Sequence, residues 1–165
     1  MKIMSIDPGN EVSAYCILDG YKPVEFGKLP NADLLYKIYG LSVGTEDWPE
    51  KLVIEMVASY GMPVGKEVFD TCVWVGRFWQ AFDDPENVSL IYRMEEKQMI
   101  CHDSRAKDTN IRQALIDRFA QHDKKNGKGT KKNPDWFYGF AADMWAAYAV
   151  GVTWLDKQQE GILKR

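Results

Sequence analysis

The chain opens with short apolar runs broken by polar turns and later changes to apolar residues at three- and four-residue spacing. KIMSID (2–7) is a brief apolar run that ends on an acid. VSAYCILDG and YKPVEFGKL follow, joined around Asp19 and Gly20, and together the three predict a meander of strands. From Asn31 to about Leu41 the spacing predicts a short helix with Asn31 as N-cap, and Gly44 to Glu50 reads as a loop. KLVIEMV (51–57) is apolar almost throughout, the composition of a strand covered on both faces.

The glycines and proline of ASYGMPVG mark a flexible connection into a helix from Lys66 to Phe82. Phe69, Cys72, Val75, Trp79 and Phe82 share one face of that helix, which serves either as core or as a dimer contact. VSLIYRM predicts a fifth strand, Thr109 to about Gln121 a helix capped by Asp108, and Pro134 to about Gln159 a last helical stretch that Gly139 bends or interrupts. With no repeat and no linker, residues 1–165 read as one α/β domain.

Composition agrees with a core of ordinary size: 45% of the 165 residues are hydrophobic and 13% aromatic. No apolar run reaches the roughly 18 residues of a membrane span, and no basic-then-apolar leader precedes the first strand, so a soluble, cytoplasmic protein is expected. Cys16, Cys72 and Cys101 are far apart and match neither a disulfide framework nor a zinc pattern. A net charge of −3 argues against coating nucleic acid by bulk charge. Locally, KKNGKGTKK (124–132) gathers five lysines among small residues, either a mobile arm that touches phosphates or a solvated loop.

Three acids stand where apolar structure should exclude them. Asp7 ends the first strand, Glu55 interrupts KLVIEMV, and Asp143 lies within AADMWAAYAVG. A lone buried carboxylate is costly, and convergence of the three on divalent cations would remove the cost. Oxygen donors without a His or Cys cluster select Mg²⁺, with Mn²⁺ as substitute. The other reading places each acid at an element end or beside a Lys or Arg.

The order and flanks of these acids are similar to those of RuvC-type Holliday-junction resolvases. SIDPGNEVSAYCILD resembles that family's first motif, an Asp-Pro-Gly turn closing strand one before a hairpin return, and LVIEMV resembles its second, a glutamate on the central strand. RMEEKQMICHDSRAKDTNIRQALIDRF resembles its strand, lysine-containing turn and helix, and AADMWAAYAVG its terminal acidic helix. The resemblance implies an RNase H-like fold, a central mixed five-stranded sheet with helices on both faces. It also implies a structure-selective endonuclease, bacterial or phage-borne, that cuts four-way DNA junctions in paired nicks leaving 5′-phosphate and 3′-hydroxyl ends. By that resemblance two cations straddle the scissile phosphate, Asp7 shared between them, Glu55 on one and Asp143 on the other. The family carries a further acid or histidine three residues before its last aspartate, where this chain has Phe140. Asp135 is the nearest upstream acid. On a continuous helix it would be about 12 Å from Asp143 along the axis, so it joins the site only if the helix breaks near Gly139.

The same resemblance makes Lys97, Arg105 and Lys107 backbone anchors for DNA, unless they are surface charge among Glu95, Glu96, Asp103 and Asp108. Tyr60 or Met62, in the loop after Glu55, is placed to stack on an unpaired base, and Lys124, Lys128 and Lys131 to reach phosphates. A near two-fold junction implies a homodimer, with the Lys66–Phe82 helix as interface. His102 beside Asp103 reads as an incidental pair rather than a base. A flap or RNA–DNA-hybrid nuclease and a non-catalytic junction binder are the competing readings. An ATPase of related fold would need phosphate-binding glycine loops, and this short chain has no Gly-rich match beyond its first turn.

Overall fold

The structure is a computed structural model that describes residues 1–41, 48–82 and 84–163; most of the expected loop from Gly44 to Glu50 falls outside them. Strands β1 (Lys2–Asp7), β2 (Val12–Asp19) and β3 (Lys22–Pro30) form the expected meander, followed by helix α1 (Asn31–Leu41) and strand β4 (Lys51–Met56). Helix α2 (Lys66–Ala81) leads to β5 (Val88–Tyr92), α3 (Arg93–Cys101), α4 (Asp108–Phe119) and α5 (Met144–Leu163). The sheet order is β3-β2-β1-β4-β5. β1 pairs antiparallel with β2 and parallel with β4, and β4 runs parallel to β5. This is the mixed five-stranded sheet expected from the sequence.

The two-residue period of the strands sorts their side chains onto two cores. Ile3, Cys16, Leu18, Val53 and Ile91 face one way, under α4 and α5, with Ile111, Leu115, Tyr148 and Val152 packed on them. Met4, Ile6, Ile17, Leu52 and Ile54 face the other way, under Leu34 and Ile38 of α1 and Val75 and Phe78 of α2. The helices therefore cover both faces, and the acids of β1 and β4 share the face that α5 covers.

Three expectations need correction. VSLIYRM ends as a strand at Tyr92, and the chain turns at once into α3, because Glu95 accepts the Tyr92 N–H (2.7 Å) and caps the new helix. The last helix starts at Met144 rather than near Pro134. Gly139 (φ +88°) and Ala142 (φ +41°) take left-handed conformations that a continuous helix cannot contain.

The lysine-rich stretch is a built loop and not a free arm. The Asp123 carboxylate accepts N–H bonds from Asn126, Lys128 and Gly129, and Gly129 bridges to Pro134. A side chain on Gly127 or Gly129, both at positive φ, would collide with Phe137 or with the Asn133 carbonyl, so the path of this loop depends on glycine at both positions.

Candidate active site

Sheet register places the first two acids side by side. Ile6 pairs with Ile54, so the next step sets Asp7 beside Glu55, while Asp7 pairs with Ala14 and Ala14 with Lys28. Partners across a ladder point to the same face. Lys28, Ala14, Asp7, Glu55 and Ile91 thus form one row across the sheet beneath the start of α5.

The third acid arrives from α5. Asp143 directly precedes Met144, and its carbonyl accepts the Ala147 N–H (3.0 Å), the first turn of that helix. Its carboxylate forms an ion pair with Lys28 Nζ. Ser5 Oγ donates to the Ala147 carbonyl (2.6 Å), and Gly151 lies so close to β1 and β2 that a Cβ there would meet Leu18 and Ser5 within 3.0 Å. These contacts seat the N-terminal end of α5 over the row.

The turn after Asp7 is equally constrained. Asn31 is buried and donates from Nδ2 to the Gly9 carbonyl (2.8 Å), while Ser13 Oγ donates to Asn31 Oδ1 (2.6 Å) and receives the Gly9 N–H (3.1 Å). A Cβ on Gly9 would fall 2.2 Å from the Val12 carbonyl oxygen. Asn31 begins α1 as the sequence suggests, and its side chain also staples the Asp-Pro-Gly turn.

Burial and like charge dominate the electrostatics here. Burial first, then the charges of Glu55 and Asp143, pushes Asp7 up to about 8. Burial also raises Glu55, against the opposing charge of Arg93. Glu96, inside α3 with no solvent exposure, is raised well above the ordinary carboxylate range by burial and by Glu55. Arg93 is the counterion. It pairs with Glu96 and with Asp108, and it lies within electrostatic reach of Glu55 and Asp7.

A cavity of about 220 Å³ opens beside Asp143, lined by Arg93, Arg112, Ile111 and Trp145 among others. The Arg112 guanidinium stacks on the Trp145 ring at 4.6 Å. The lining carries charges of both signs, Arg93 and Arg112 beside Asp108 and Asp143.

Asp7, Glu55, Glu96 and Asp143 are the side chains that could hold a hard divalent cation. Among the described residues no three His, Cys, Asp or Glu groups already stand together in a metal-holding arrangement. Asp143 is paired instead with Lys28.

Asp135 is placed elsewhere. Its carboxylate accepts the N–H groups of Gln121, His122, Asp123 and Trp136 at 2.7–2.9 Å. Burial alone would raise its pKa, but these backbone donors hold it well below the usual carboxylate range. The acid is the organiser of the 121–136 loop. Phe140 is 1% exposed and packs on Phe26 (4.5 Å between ring centres), Phe137, Trp145 and Tyr148, so that position points into the core.

The remaining expected contacts are spread over several elements. Lys97 is half-buried on α3, Arg105 is exposed in the following turn, and Lys107 precedes α4, its N–H accepted by Asn110. Tyr60 is 61% exposed at a left-handed turn position (φ +48°) beyond β4. The Lys124 amine bonds the Ala120 carbonyl at the end of α4, Lys128 is half-buried, and Lys131 is exposed. His102 takes the left-handed C-cap of α3, and Asp103 accepts the Arg105 N–H.

Glu96, Arg93 and Lys28 did not stand out in the sequence. The signal for the first two was the spacing Arg93, Glu96, Ile100, which sets an ion pair on the inward side of a helix once α3 is recognised as one. Lys28 becomes visible only through register.

No family model matches the sequence, and no curated protein does. Solved structures do match. One Thermus thermophilus RuvC structure, in complex with Holliday junction substrate, superposes with a TM-score of 0.68 at 14% identity over 98% of this chain and 96% of that one. A second Thermus thermophilus RuvC structure gives 0.68 at 15% identity over 98% and 97%. The chain has the fold of these RuvC structures, the RNase H-like arrangement of a mixed five-stranded sheet with helices on both faces.

Proposed function

We propose that this protein is a metal-dependent endonuclease that resolves four-way DNA junctions by paired nicks, leaving 5′-phosphate and 3′-hydroxyl ends. The observation that carries the reading is that Asp7 and Glu55 stand side by side in one sheet row and Asp143, from a distant segment, pairs with Lys28 of the same row, with the Asp7 pKa raised by burial and by both acids. Likeness to a RuvC whose complex with a Holliday junction has been solved supports DNA as the substrate.

The donor set fits the cofactor. The acids are hard oxygen ligands, Oε1 of the buried Glu96 has no hydrogen-bond partner among the described residues, and the Lys28–Asp143 pair is half-exposed and easily exchanged. Asp7, Glu55 and Asp143 would hold Mg²⁺, or Mn²⁺ in its place, two ions per site, supplying Lewis acidity and an activated water. For its part, the chain gives up the Asp7 proton, frees Asp143 from Lys28 and keeps Arg93 in place as a partial counterion. Lys97, Arg105 and Lys107 hold DNA phosphates, with Lys124, Lys128 and Lys131 as outer contacts, and Tyr60 stacks on an unpaired base at the crossover. Two copies act together through the outward face of α2, where Phe69 and Val73 are each 61% exposed.

The test is cleavage of a synthetic four-way junction, matched duplex, flap and RNA–DNA hybrid in Mg²⁺, Mn²⁺ or EDTA, alongside Asp7→Asn. Paired, metal-dependent nicks confined to the junction and absent in the variant are expected. Junction binding without cutting in any metal would make the protein a binder, and preference for flaps or hybrids would make it a different nuclease.

A further inference from the structure

Glu96 is fully buried on α3, and its two oxygens are treated unequally. Oε2 accepts from Arg93, whereas Oε1 has no hydrogen-bond partner among the described residues. An unfilled buried carboxylate oxygen is uncommon and costly. Arg93 cannot neutralise the whole pocket, because its second nitrogen is committed to Asp108 and its charge is shared with Glu55. β5 pairs Glu55 with Ile91 and Met56 with Tyr92, so α3 starts at the strand end that carries Glu55, and Glu55 and then Asp7 add like charge to the buried Glu96.

A trapped water could fill Oε1 but would not relieve the crowding among Asp7, Glu55 and Glu96. A small divalent cation meets both needs. It prefers oxygen donors, and it lowers the repulsion among Asp7, Glu55 and Glu96. Position 140 contributes nothing to this centre, since its ring is locked among Phe26, Phe137 and Tyr148.

We propose that Glu96 is the fourth carboxylate of the cation centre formed by Asp7, Glu55 and Asp143, with Oε1 as the donor oxygen and Oε2 anchored by Arg93. This rests on the metal-dependent reading above. It assigns to α3, rather than to the segment before α5, the ligand that completes the site.

Mn²⁺ titration of the full chain, followed by calorimetry and by the electron paramagnetic resonance of free Mn²⁺, tests it without any cleavage assay. Glu96→Gln is expected to weaken Mn²⁺ binding about tenfold or more, with an unchanged circular dichroism spectrum and an EDTA melting temperature no lower than that of the wild type. Asp108→Asn removes the other, exposed partner of Arg93 and should keep wild-type affinity; a loss equal to that of Glu96→Gln would show an effect through Arg93 and overturn the proposal. If Glu96→Gln fails to fold, Glu96→Asp keeps the charge with a shorter reach. It too should lose affinity, and wild-type binding would count against the assignment. Loss of Mn²⁺ in Asp7→Asn with full binding in Glu96→Gln sinks the role of Glu96 and leaves the centre standing. No Mn²⁺ binding by the wild type overturns both.

Discussion

Ser5 Oγ lies 2.6 Å from the Ala147 carbonyl oxygen, and this buried hydrogen bond joins β1 to α5 across 142 residues of sequence. Ser5 is two residues before Asp7 on the same side of the strand, and Ala147 is one helical turn beyond Asp143. The contact therefore controls how far apart the two acids stand. Ser5→Ala should cost about 1 kcal/mol, which lowers the melting temperature by roughly 2–4 °C. Gly151→Val should cost more, about 1–3 kcal/mol from overpacking against Leu18 and Ser5. In both variants junction nicking should fall further than the loss of folded protein explains, as measured by cleavage rate against calorimetric stability.

Asp7 supplies a pH signature. Its folded pKa of about 8 lies above the unfolded value of 3.8, so between those limits the folded state holds the extra proton. The corresponding stability is complete below about pH 4 and is lost as pH rises through 8. In EDTA the wild type should melt at lower temperature at pH 8 than at pH 5. Asp7→Asn should flatten that slope and stabilise the metal-free protein by about 2 kcal/mol at pH 8, roughly 4–8 °C, while abolishing cleavage. A melting temperature equally pH-dependent in both proteins would contradict the crowding of Asp7 by Glu55.

The Lys28–Asp143 pair is half-exposed and adds little to stability. It does keep a cation on a carboxylate that the proposed metal centre would use. Lys28→Met should leave the melting temperature in EDTA within about 2 °C of the wild type and strengthen Mn²⁺ binding several-fold, as read by calorimetric titration. Weaker binding would mean that Lys28 positions Asp143 rather than competing for it.

Asp135→Ala separates structure from chemistry. Removing one acceptor leaves the N–H groups of Gln121, His122, Asp123 and Trp136 without their partner, at a cost of roughly 2–4 kcal/mol. Because this carboxylate is held below its unfolded pKa, its contribution is present at neutral pH and disappears on acidification below about pH 4. Cleavage assayed well below the melting temperature should be retained. Its disappearance in a fully folded variant would return Asp135 to the site.

The interface assignment is tested by Phe69→Glu with Val73→Glu. Sedimentation should show a dimer for the wild type and a monomer for the variant, with folding unchanged because both side chains are exposed. A monomeric wild type would remove α2 from that role.

Local pattern was enough for much of the molecule. Alternation in KIMSID and VSAYCILDG, the unbroken apolar run KLVIEMV and the three-four spacing from Lys66 dictate strand or helix through backbone geometry alone, and they place Asp7 and Glu55 on strands. An acid inside an apolar run is a conspicuous contradiction, which is why those two and Asp143 were legible from the sequence. The start of α5 was not, since helical spacing continues back past Gly139 and only the left-handed φ of Gly139 and Ala142 breaks it. Glu96 and Lys28 look like ordinary surface charges among many. Burial left one with a carboxylate oxygen that no described residue pairs, and strand register made the other the neighbour of Asp143. Which residues prefer a strand or helix follows from each side chain and its near neighbours. Which charges meet depends on contacts between segments more than a hundred residues apart, and only the packed fold decides those.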